Sequence, residues 1–175
     1  MTNSDSFAIV VSAPAIRQAT FEQANLAERL VNAKLKYELE VVSLARARQA
    51  QRRLNLGMRV FFHQGGAPSR WSRQFPQAGC LIAAGYYTGI HSLPHGNPPP
   101  GIPQGLWSTE TGIFTPPQWK FTHFIRYQGV RRINDRILTK RTIGRWPLPG
   151  ENFMIVGPQD EGFSELNRLW HHIMR

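Results

Sequence analysis

Acidic side chains are missing from the long middle of this sequence. Of eleven Asp and Glu residues, only Glu110, Asp135 and Glu151 fall between residues 41 and 159, and none lies between Glu40 and Glu110. Acid–base catalysis by paired carboxylates therefore has little material to work with. Cysteine is almost absent. Cys80 alone excludes an internal disulfide, and with it a small disulfide-stapled secreted scaffold. In the apolar run Gly79–Tyr87 it reads as a small buried hydrophobe. Long hydrophobic runs are lacking as well: Cys80–Tyr87 is far too short to cross a bilayer. Met1–Ser6 is polar and carries Asp5 where a secretory leader has a positive segment. The expected location is intracellular or virion-associated, without a membrane span. There is no G-x-S-x-G, no Walker A sequence and no G-x-G-x-x-G. His91 and His95 are four apart but share a loop sequence with Pro94 and Gly96, with no carboxylate beside them. Neither a metal nor a cofactor is expected.

What is abundant is arginine. The chain carries a formal net charge of +10, from 17 Arg and only 4 Lys against the eleven acids. Arg offers planar, bidentate donors that suit phosphates and stack on rings, whereas Lys is a hydrated point charge. Two clusters stand out. The first runs from Arg46 through Arg52 and Arg53 to Arg70 and Arg73 without an acid. The second holds Lys120, Arg126, Arg131, Arg132, Arg136, Lys140, Arg141 and Arg145 against Asp135 alone. Trp119, Phe121, Phe124, Tyr127 and Trp146 lie in or beside the second cluster. Basic side chains neutralise phosphates and planar rings stack on unpaired bases, so these cations are the candidate nucleic-acid-binding residues.

The longest pattern is helical. From Ala15 to Leu54 no Pro or Gly intervenes, with Pro14 before and Gly57 after. Leu26, Leu30, Ala33, Tyr37, Leu44 and Ala47 recur at alternating four- and three-residue steps, broken only by Glu40. This spacing predicts a coiled-coil seam, and Leu26, Leu30, Ala33, Tyr37 and Leu44 are its candidate oligomer interface. Ala24, Val31, Leu35, Leu39 and Val42 line the opposite side. A helix apolar on two faces needs a partner on each.

Elsewhere the patterns are those of strands. Phe7–Val11, Met58–His63, Gly79–Tyr87, Trp119–Tyr127, Arg136–Trp146 and Asn152–Val156 all fit, by apolar runs or two-residue alternation. Phe163, Leu166, Trp170 and Ile173 share one face of a closing helix. The expected fold is α+β: an N-terminal arm over 1–14, a long helix over 15–56, and a β-rich domain over 57–175. That domain is mostly antiparallel, with a Pro-rich loop over 93–117 and a terminal helix over 163–174. The expected role is a non-enzymatic structural subunit of a larger assembly, such as a virion or nucleoprotein. Its partners would be copies of itself or other subunits, with Arg-rich surfaces meeting nucleic acid or acidic neighbours. The alternatives are a free-standing RNA- or DNA-binding protein, and a small nuclease or toxin built on His63 and His123 with Arg126 and Glu110 or Glu151.

Overall fold

Short runs of β-branched and aromatic residues decide the architecture. The computed structural model describes residues 5–12, 31–65, 78–92, 121–148 and 150–175. Within them six strands form one sheet: β1 (Phe7–Ser12), β2 (Leu39–Ser43), β3 (Arg59–Gln64), β4 (Cys80–Ser92), β5 (Phe121–Leu138) and β6 (Phe153–Val156). The spatial order is β2-β5-β4-β3-β1-β6. All neighbours are antiparallel except β1 and β3, which run parallel with Phe7 opposite Arg59, so the sheet is mixed. Three helices accompany it: α1 (Leu44–Arg53), α2 (Thr139–Ile143) and α3 (Phe163–Ile173). Residues 31–37 are also helical.

The continuous helix expected over 15–56 is not present, because described residues 38–43 interrupt it with a turn and a strand, and the fold is sheet-dominated rather than α+β around a coiled coil. The helical turn ends at Tyr37. Glu38 takes a positive φ of 56°, a conformation that L side chains rarely adopt. Two bonds from β5 hold it there: the Tyr127 N–H donates to the Glu38 carbonyl at 2.9 Å, and the Val130 N–H donates to its carboxylate at 2.8 Å. The next five residues, Leu-Glu-Val-Val-Ser, pair with β5 as β2. Val41 and Val42 are stiff at χ1 and pack well on a pleated surface, so a waiting strand edge outweighs their weak helical preference. Helix resumes only at Leu44, where the Ser43 hydroxyl accepts from the Arg46 N–H. The seam is dismantled accordingly. Ala33 is buried within the chain, Tyr37 packs with Leu39 and Phe124, and Leu44 is exposed. Leu26 and Leu30 lie outside the described residues, as does the Pro-rich stretch 93–117.

Two apolar layers cover the sheet. On one face Val10, Val42, Val60, Phe62, Ile82, Ile125 and Tyr127 meet Val31, Leu35 and the inner side of α1, Ala47 and Ala50. On the other, Phe7, Ile9, Phe61, Leu81 and Ile133 meet α2 and α3 through Ile143, Leu166, Leu169 and Trp170. The expected strand over Arg136–Trp146 is instead the end of β5 followed by α2. Leu138 still faces the first layer, while Thr139, Thr142 and Ile143 turn inward at helical spacing.

The sheet is strongly curled. Arg46, in the first turn of α1, donates from Nε to Glu40 of β2 at 2.9 Å. It also donates from Nη1 to the Asn152 side chain ahead of β6 at 2.8 Å, and from Nη2 to the Val11 carbonyl of β1 at 2.8 Å. Flat, the outermost strands of six would stand about 24 Å apart, beyond the reach of one guanidinium. Register shifts along β4 and β5, at Leu81/Ala83, Ala84/Tyr86 and Tyr87/Gly89, supply the coiling. Among the described residues, no helix is long and apolar enough to cross a membrane.

Candidate nucleic-acid interface

The cations fall into two populations. The first is used internally. Arg46 is the centre of a buried polar cluster in which the Glu40 carboxylate also accepts from Lys34 at 2.9 Å and from the Tyr127 hydroxyl at 3.0 Å. Burial favours the neutral form of Glu40, but Arg46 and Lys34 outweigh it and hold the carboxyl below its ordinary pKa. Burial pulls the Lys34 ammonium down to about 8, against the opposing pull of Glu40. Burial, with Glu40 alongside, raises Tyr127 well above the ordinary phenol range. Arg46 also stacks over Phe153 at 4.8 Å. It is thus tied into the core rather than presented to a ligand. Arg131 donates to the carbonyls of Ile173 and Arg175 at 3.2 and 2.7 Å, fastening the end of α3. Arg145 forms a two-pronged pair with Glu151 at 2.9 and 3.1 Å.

The second population faces water. Arg132, Arg136, Lys140 and Arg141 are exposed along the end of β5 and α2. Among the described residues, Arg132 donates one side-chain hydrogen bond, to the Asn32 side chain at 3.4 Å. Arg136, Lys140 and Arg141 make no ion pair or hydrogen bond among the described residues. Strand alternation puts Arg132 and Arg136 on the face of α1, and Asp135 on the face of α3 with Ile133 and Ile137. Arg52 and Arg53 are exposed in the last turn of α1, where the helix dipole favours them. Arg126 is exposed near the other end of β5, over the Phe124 ring at 5.8 Å. Arg70, Arg73 and Lys120 lie outside the described residues. The expected cluster therefore shrinks to four exposed cations along the end of β5 and α2, with others elsewhere.

The aromatics sort the same way. Phe124 and Tyr127 are core residues and have no face for a base. Trp146 remains 40% exposed. It lies 6.3 Å from the His63 ring, and His63 is bonded through Nδ1 to the Thr139 hydroxyl at 2.7 Å, which brings Trp146 beside the start of α2. A shallow cleft of about 240 Å³ adjoins this region, lined by Ile143, Gly144, Arg145, Met154, Ile155, Val156, Asp160 and Glu161, and its two carboxylates share that lining with Arg145.

The nuclease constellation does not assemble. His63 stands opposite Leu81 and His123 opposite Ser92, eleven residues apart along β4, which is about 35 Å at strand spacing. His63 is buried, and desolvation lowers its pKa to about 4. Glu151 is occupied by Arg145, and Glu110 lies outside the described residues. No group of three or more His, Cys, Asp or Glu among the described residues is placed to hold a metal ion. What sequence reading missed is the Lys34–Glu40–Arg46–Tyr127 cluster. Its one signal was Glu40, the polar break in an otherwise apolar seam. No family model matches this chain, and no curated protein matches it either.

Proposed function

We propose that this protein binds nucleic acid, holding the phosphate backbone with Arg132, Arg136, Lys140 and Arg141. The observation that carries this reading is the contrast between the two populations of cations. Where the fold needs a positive charge it pairs it, as with Lys34, Arg46 and Arg145. Arg136, Lys140 and Arg141 stand exposed without a described partner at one end of the longest strand. The assembly reading rested on an apolar seam whose described members now serve the chain's own core or stand apart from one another, so it is not carried forward.

The test is a salt titration of binding to a labelled oligonucleotide. Each phosphate contact contributes about 0.9 to the slope of log K against log salt on duplex and about 0.7 on single strands. Replacing Arg136, Lys140 and Arg141 together by Ala is expected to weaken binding and to flatten the slope by about two to three. Unchanged affinity and slope in the triple variant would overturn the assignment.

A further inference from the structure

The loop after α2 is built to hold one aromatic ring outward. Glu151 closes it from four directions. Its carboxylate accepts both prongs of Arg145 and the Leu148 N–H at 2.9 Å, while its own N–H donates to the Leu148 carbonyl at 3.0 Å. Arg145 also donates to the Trp146 carbonyl at 3.3 Å. Arg145, Trp146, Leu148 and Glu151 are thereby tied to one another by their own polar groups. Trp146 has the His63 ring 6.3 Å away, tilted by 57°, and 40% of its surface meets solvent. Thr139, whose hydroxyl holds His63, is fully buried, so His63 is anchored as well. Lys140 and Arg141, the residues that follow Thr139, point outward with no acidic partner among the described residues. A large ring fixed in place beside two cations pairs a stacking platform with phosphate ligands, the combination that grips a strand whose bases are unpaired.

We infer that Trp146 is a base-stacking platform and that the nucleic acid taken by this surface is single-stranded. This rests on the proposed binding by the β5–α2 cations and adds a preference those cations alone would not create. A duplex offers them the same phosphates but keeps its bases stacked on one another, out of reach of Trp146. Glu151 acts as the positioning residue that keeps the ring presented.

The experiment compares a short oligouridylate with a duplex RNA of equal length, using the full chain. The expected result is tighter binding of the oligouridylate, with Trp146→Ala weakening it about tenfold and changing duplex affinity by less than about twofold. Tryptophan emission should be quenched by oligouridylate in the wild type, and that quench should vanish in Trp146→Phe. Glu151→Gln, which loosens the loop while leaving Lys140 and Arg141 in place, should reproduce part of the single-strand loss. Equal affinity for both RNAs, with the same quench in Trp146→Phe, overturns the platform while leaving the phosphate-binding reading standing. If neither RNA binds, both readings fall together.

Discussion

His63 sits at the junction of β3, α2 and the Trp146 loop, and it is neutral there because burial lowers its pKa to about 4. In the unfolded chain the imidazole titrates near 6.5. Between those two values the unfolded state binds a proton that the folded state refuses, so stability falls as pH falls from about 6.5 to about 4 and levels off below. Above 6.5 both states are neutral and the group contributes nothing. The shift corresponds to about 3 kcal/mol across that window. Urea unfolding of the wild type at pH 7.5 and pH 4.5 should show this difference, and His63→Gln should remove most of it. An equal pH dependence in both proteins would mean that other groups are responsible. From sequence, His63 is the last residue of an apolar strand and a candidate for a nuclease site. Its bond to Thr139 spans 76 positions and leaves no trace in local pattern.

At the scale of elements, the instructive stretch is residues 31–53. Leu39 and Val42 satisfy a helical spacing of three, and the same residues satisfy strand pairing with β5. Periodicity could not separate the two, because the deciding term is tertiary: an edge of β5 that β2 completes. Two local signals did point to the break. Ser43 is an N-cap residue in the middle of the supposed helix, and Val41-Val42 is a β-branched pair directly before it. Replacing Ser43 by Ala removes the acceptor for the Arg46 N–H, and about 1 kcal/mol of stability should be lost. Chemical denaturation will measure this, and a change within error would show that the cap is dispensable. The strands from Phe7, Met58, Gly79 and Asn152 were more legible because each is a short apolar run between turn residues, with no competing helical period. The end of β5 was harder. Its alternation runs on past Leu138 into residues that bend into a five-residue helix, which no period marks. Of the candidate interface, the clustering of cations was visible in sequence. Which of them the fold uses for itself was not, since Arg46 meets Asn152 across 106 positions.

For the molecule as a whole, Arg46 is the tie between regions that sheet order separates most. It joins β2 at one edge to the lead-in of β6 at the other. Replacing it by Met keeps much of its volume over Phe153 but cuts every polar link and leaves Glu40 with less compensation. A loss of about 3 kcal/mol is expected. The distinctive signature is spatial: amide hydrogen exchange should accelerate together in β2 and β6, and far less in β3 and β4 between them. Acceleration confined to β2 would show that Arg46 is a local partner of Glu40 and not a tie across the curl. Because α1 carries Arg46, its exposed end with Arg52 and Arg53 is held in a fixed relation to the sheet.

The place of β1 has a consequence for how the protein is made. Among the described strands it comes first in sequence and fifth in the sheet, flanked by β3 and by β6, which follows it roughly 140 residues later. During translation, at about 5–20 residues per second, the segment Phe7–Ser12 waits on the order of ten seconds or more for that last neighbour. Until then one side of a largely apolar strand lacks that neighbour, and it is a ready template for other nascent chains. Some 140 further residues must be made before β1 gains its second neighbour, so Phe7–Ser12 is open to mispairing for most of that interval.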